Sequence, residues 1–212
     1  MRTLTSQNHT PGFANPVHDA QQVFRAVLEA LARPGTRHSI EANLNPPEPL
    51  GASAGAVILA LCDEQTPIWL DPTLRASSAV GGWIAFHTGA RIVENASEAL
   101  FVIASSPNAA PTLADLMQGT DEEPHRSATL IIDAQGSRSI GNLVASGPGI
   151  SGTIGWDGVG LPSGFLPQWR ENGMLFPCGV DIVLAAETTV QGLPRTTALV
   201  SADQQSHQQR SA

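Results

Sequence analysis

Apolar residues recur at helical spacing near the start of the chain. Ala20, Val23, Phe24, Val27, Leu28 and Leu31 follow the i, i+3, i+4, i+7 rule. This predicts an amphipathic helix opening at Asn15-Pro16. It stops at Arg33-Pro34-Gly35, where proline cannot continue the ladder and glycine is free to turn. Burying that stripe contributes on the order of 10 kcal/mol, as an upper bound. Further helices are expected over residues 51–62, over 80–87 with Gly89 as the stop, over 112–118 with Gly119 as the stop, and over 163–172. Residues 36–40 read as a short strand, and apolar runs at 68–70, 99–104, 129–133, 180–185 and 197–200 read as further strands, the last two finishing the sheet. Residues 143–146 and 153–156 read as two strands around a glycine-rich turn. A proline-rich loop at 45–49 and an acidic loop at 121–124 separate these elements.

Helices alternating with apolar strands predict an α/β layer protein. The later strands follow one another through short turns, which predicts a mixed sheet. The pattern supports a single domain over residues 14–200, between a polar, mobile start (1–13) and a Gln/Ser-rich disordered tail (201–212).

Composition narrows the chemistry. Apolar residues make up 42% of the chain, enough for a core, while charged residues make up 14%, against about 25% in an ordinary soluble domain. A weakly charged surface suits one partly covered by a partner. The net charge of −8 argues against binding nucleic acid or an anionic membrane. All eleven basic residues are arginine. Without lysine there is no Schiff base to pyridoxal phosphate, no P-loop lysine and no aldolase-type imine. Two separated cysteines, Cys62 and Cys178, fit a reducing compartment and are too few for an iron–sulfur cluster. The polar start has no apolar leader segment and no apolar run reaches the ~18 residues of a membrane span, so a cytoplasmic location is expected.

Several motifs suggest specific chemistry. Gly51-Ala52-Ser53-Ala54-Gly55 matches a nucleophile elbow, but a proline-rich loop precedes it where a strand is required. A small-residue helix start is the plainer reading. Gly147, Gly149 and Gly152 match G-x-G-x-x-G, but a strand follows where the dinucleotide fingerprint needs a helix. The alternative to a hairpin there is a stand-alone nucleotide- or phosphate-binding enzyme using the Gly147–Gly152 turn. None of the six histidines forms a metal pair at helix or strand spacing, so no metal site is expected. His18 and Asp19 suit a helix start, and His87 suits a helix C-terminus. Asp181 interrupts an apolar run and needs a partner. Arg195 is the nearest arginine downstream, available for a buried bridge to Asp181 or for an anionic ligand or partner carboxylate.

Five strings stand in order along the chain: Gly12-Phe13 with Pro16 to Gln21 and Phe24-Arg25 through Ala32-Arg33-Pro34-Gly35; Phe86-His87-Thr88-Gly89-Ala90; Gly147-Pro148-Gly149-Ile150; Phe176-Pro177-Cys178-Gly179-Val180-Asp181; and Gly192-Leu193-Pro194-Arg195-Thr196-Thr197. Together, over about residues 12–200, they resemble the PhnH family of the bacterial carbon–phosphorus lyase system. The resemblance implies a three-layer sandwich with a mixed central sheet, similar to the large domain of pyridoxal-phosphate transferases but without a cofactor. It implies assembly with PhnG, PhnI and PhnJ, helped by PhnL, into a complex that replaces the adenine of ATP with an alkylphosphonate. It also implies a homodimer when the chain is isolated. It supplies no catalytic residue. Arg33, His87, Asp181 and Arg195 are the polar residues of these strings that become candidates for binding an anion or a partner.

Overall fold

The computed structural model describes residues 10–41 and 43–203. The first helix, α1 (Pro16–Ala32), starts where Asn15 caps it, with its side chain accepting from the His18 amide, and where Pro16 opens its first turn. It is followed by β1 (His38–Ser39), α2 (Ala52–Leu61), β2 (Ile68–Leu70), α3 (Pro72–Ala76), α4 (Ser78–Thr88), β3 (Phe101–Ala104), β4 (Thr129–Asp133), β5 (Leu143–Ser146), β6 (Ile154–Trp156), α5 (Phe165–Met174), β7 (Asp181–Ala185), β8 (Thr189–Leu193) and β9 (Ala198–Ser201). Gly89 ends α4 in the left-handed conformation, as its position in the sequence predicts.

A six-stranded sheet has the order β1-β8-β7-β4-β3-β2. β2, β3, β4 and β7 run parallel, and β8 and β1 add antiparallel strands at one side, so the sheet is mixed. Successive residues of each strand enter opposite cores. Ile103, Ile131, Val183 and Val190 meet α1, α2 and α4 through Val27, Val57, Ile58 and Trp83. Val102, Leu130, Ile132, Ile182 and Leu193 meet α5 and a second, three-stranded sheet through Leu143, Trp156, Phe165 and Leu199. Coverage on both faces is why these strands are continuous apolar runs rather than alternating ones. The layers are therefore helices, mixed sheet, and a small sheet with one helix.

Three sequence expectations need correction, and one helix was not foreseen. β9 does not finish the main sheet; it joins the second sheet, order β6-β5-β9, by pairing with β5. The strand in its expected place is β8, which the Gln191-Gly192 interruption hides. Gly192 is required because α1 crosses there, where a Cβ would stand 2.6 Å from backbone atoms of Ala30 and Leu31. The helix expected at 112–118 is only a 3-10 turn, Leu113–Asp115: the Leu113 carbonyl accepts from the Leu116 amide, and the Gln118 side-chain carboxamide donates to the Leu113 and Leu116 carbonyls where a continuing helix would bring backbone amides. The strand expected at 36–40 shortens to two residues. An element the pattern did not show, α3, begins at Asp71-Pro72, where the Asp71 carboxylate accepts from the Thr73 and Leu74 amides.

Of the expected mobile start, residues 10–13 lie against α4, with the Thr10 carbonyl accepting from the Trp83 indole at 2.9 Å. Residues 1–9 and 204–212 fall outside the described residues. Ser201, placed by sequence in the tail, is the last residue of β9. Among the described residues no helix is long and apolar enough to cross a membrane.

Candidate functional site

Asp181 opens β7, and Arg195 follows β8 by way of Pro194. Antiparallel pairing of Ile182 with Leu193 brings the two together. The Arg195 amide donates to Asp181 Oδ1 at 2.8 Å, Nε donates to the same oxygen at 3.1 Å, and Nη2 donates to Oδ2 at 2.5 Å. Nη1 donates to the carbonyls of Pro124 and Pro177, each at 3.2 Å. The side chains of Arg195 and Asp181 are 14% and 23% exposed, so the pair is shielded but not sealed. Its fork thus joins three chain segments, and each of its three nitrogens is engaged.

Beside this pair, a groove of about 570 Å³ runs between α5 and β9. Trp169 and Leu199 form its buried floor, and Trp169 donates its indole N–H to the Thr197 carbonyl at 2.8 Å. The Thr197 hydroxyl is buried there without a hydrogen-bond partner among the described residues. Met174 and Phe176 at the lip are 73% and 63% exposed. Arg170, also on the lip, is exposed and makes no ion pair among the described residues. β9 pairs with β5 alone among the described strands, so its other edge is open along the groove. Pro148, Phe176 and Arg195 to Thr197, drawn from three of the five strings, meet here.

The glycine-rich turn has a packing role. Gly147, Gly149 and Gly152 all have positive φ, and β6 rather than a helix follows them. A Cβ on Gly149 would lie 2.1 Å from the Ala32 carbonyl oxygen, and one on Gly147 would lie 2.7 Å from that of Thr196. The turn is pressed between the end of α1 and the segment after β8. The helix end that adjoins it is the C-terminus of α1, where the dipole disfavours a pyrophosphate.

The other two candidates stand apart from the pair. Arg33 caps α1 and reaches Glu29 at 3.5 Å, with its side chain 66% exposed. It follows Ala32, which touches the glycine turn. His87, in the last turn of α4, lies 3.0 Å from the Thr10 carbonyl and sets its ring edgewise to Trp83 and Phe86, in the helical layer on the opposite face of the sheet. The Ser53 hydroxyl is buried inside α2 and donates to the Glu187 carbonyl at 2.9 Å, an arrangement that holds it away from nucleophilic use. Burial pushes the Cys62 thiol up, so it stays protonated and inert. Among the described residues no His, Cys, Asp and Glu side chains group to hold a metal ion.

Sequence reasoning overlooked two buried carboxylates at the C-terminal ends of the parallel strands. Asp71 is fully buried and also accepts from the Ser105 amide at 2.5 Å. Asp133, at the end of β4, accepts from the Gly51 amide at the start of α2 and from the Gln135 amide, at 2.9 and 3.1 Å. Burial raises the Asp133 carboxyl above its ordinary 3.8, against the pull of those two amides. The signals were Asp-Pro before a helix and a charge closing an apolar run. Between the ordinary and the raised value, the folded chain holds a proton that the unfolded chain releases. Asp133 therefore costs stability as pH rises through that window, and the cost is constant above it. Asp133→Asn, which does not titrate, is expected to gain on the native chain over the same window. Urea midpoints of both proteins from pH 4 to pH 7 check this; a constant difference between them would show that Asp133 does not titrate abnormally.

A family model described as bacterial phosphonate metabolism protein (PhnH) matches residues 11–200. The chain is 43% identical over 197 residues to the alpha-D-ribose 1-methylphosphonate 5-triphosphate synthase subunit PhnH of Rhizobium meliloti (strain 1021), covering 93% of this chain and 98% of that protein.

Proposed function

This chain belongs to the PhnH family of bacterial phosphonate metabolism, and we propose that it is a docking subunit of a ribose 1-methylphosphonate 5-triphosphate synthase assembly rather than a catalyst by itself. PhnG, PhnI and PhnJ are its partners in this reading, with PhnL assisting and the isolated chain pairing with itself in the cytoplasm. The assembly transfers the ribose triphosphate of ATP to an alkylphosphonate and releases adenine. The scaffold is that of a pyridoxal-phosphate transferase large domain from which the cofactor chemistry has been lost, in keeping with a sequence that has no lysine.

The observation that carries this reading is the groove between α5 and β9. Its polar groups are arginine and threonine, with no base, acid or nucleophile poised for reaction. An open strand edge is a template for an extended segment of another chain, and apolar pockets beside it take alternate side chains. Exposed Met174 and Phe176 supply the apolar contact, and Arg170 offers a charge to a partner carboxylate. The Gly147–Gly152 turn weighs against a stand-alone nucleotide enzyme, because backbone already covers Gly147 and Gly149.

Co-expression of the full chain with PhnG, PhnI and PhnJ tests the proposal. The native chain is expected to co-elute with them. Arg170→Glu, on an exposed position of α5, is expected to weaken incorporation about tenfold, equivalent to ~1.4 kcal/mol. A chain that neither associates with these subunits nor supports growth on methylphosphonate ends the proposal. Full incorporation of Arg170→Glu would move the interface elsewhere.

A further inference from the structure

We infer that a second cavity, beyond the C-terminal ends of β4 and β7, binds a small, neutral, planar molecule that carries a hydrogen-bond donor and acceptor side by side on one edge. The cavity holds about 340 Å³ and is bounded by the loop after β4, the β7–β8 turn, Arg37 and Val159. β4 and β7 are adjacent and parallel, and the C-terminal ends of such strands are where open α/β sheets receive ligands.

Gln191 decides the chemistry. It sits in the middle of β8 and is only 6% exposed, and its carboxamide lines the cavity. Among the described residues that carboxamide makes no hydrogen bond. Its polar atoms face the solvent of the cavity, so an occupant that displaces this water must supply both a donor and an acceptor in its place. A carboxamide presents one acceptor and a donor pair in a single plane. Its complement is the edge of an amide or a nitrogen heterocycle, as when glutamine pairs with an adenine edge.

Charge excludes an anion. Arg37 already donates to Asp157 at 2.9 Å, and Glu187 adds a negative charge to the rim. Ala134, Val159, Leu184 and Ala186 give apolar walls suited to a ring face. The volume lies near the low end for ligand pockets, which run from about 300 to 1,000 Å³, and so fits one or two rings better than a nucleoside triphosphate. The site shares no lining residue with the groove beside α5 and does not depend on the docking reading.

Adenine, uracil and nicotinamide, each titrated into isotope-labelled full-length protein, are the probes. At least one is expected to shift the amide resonances of Ser137, Thr189 and the Gln191 side chain at millimolar or lower concentration. Gln191→Met is expected to weaken that response at least tenfold. Thr188→Trp, placed at the exposed rim, blocks the cavity without touching the core and is expected to do the same. The inference is overturned if none of the probes shifts these resonances. It is equally overturned if both variants respond like the native chain, or if inorganic phosphate alone shifts them.

Discussion

Arg195→Ala is expected to destabilise the fold by about 3 kcal/mol. Removing one partner of a buried ion pair costs about 3–5 kcal/mol, because the other charge is left in a poorly solvated place. Partial exposure of both side chains lowers that range, since water screens the stranded carboxylate. Two further terms raise it. The carbonyls of Pro124 and Pro177 lose their shared donor, and the β7–β8 end loses the tie that holds it to both loops. Asp181 keeps the Arg195 main-chain amide in the variant, which limits the damage. For a chain of this length the loss corresponds to a fall in Tm of about 6–12 °C. Arg195→Lys is expected to recover little, because an ammonium cannot span both carboxylate oxygens and two carbonyls at once. Urea denaturation of Arg195→Ala, Asp181→Ala and the double variant reads the effect. The double variant is expected to lose clearly less than the sum of the singles. Additive losses would mean that the two residues act separately.

Gly149→Ala is expected to cost about as much, for a different reason. Gly149 has a φ of +83°, which an alanine adopts at a penalty of about 1–2 kcal/mol. The added Cβ would also stand 2.1 Å from the Ala32 carbonyl oxygen, so the turn or the end of α1 must move. Overpacking of this kind adds about 1–3 kcal/mol. Gly152 provides the control: its φ is +75°, but nothing lies within 4 Å of the position of a Cβ. Gly152→Ala is therefore expected to show the backbone penalty alone, about 1 kcal/mol. Thermal unfolding of the two variants separates conformational strain from close approach. Equal losses would falsify the claim that α1 is packed directly on this turn.

α1 was legible because a long apolar stripe and a proline–glycine stop are local signals, and the buried strands at 129–133 and 68–70 were legible as apolar runs. The hairpin around the glycines was legible too, since positive φ is written in the residue type. β8 was not, because Gln191 and Gly192 break its apolar run for reasons that lie elsewhere: one side chain faces a cavity and the other position is crossed by α1. The Asp181–Arg195 pairing was readable as one of two alternatives, because a charge in an apolar strand demands a partner. His87 and Arg33 looked similar to that pair in sequence and turned out to serve different neighbours.

By itself, the order of residues determined the α/β class, the long first helix with its stop, most of the buried strands, and which covalent chemistries the lack of lysine excludes. Those properties follow from periodicity, turn residues and side-chain type, which act within a few positions along the chain. Only the tertiary structure decided that β9 leaves the main sheet, that Arg195 ties three segments together, that the Thr197 hydroxyl is buried without a partner among the described residues, and that Gln191 lines a cavity. Each of these depends on residues far apart in sequence approaching within hydrogen-bonding or van der Waals distance, and no local pattern encodes which distant atoms will arrive.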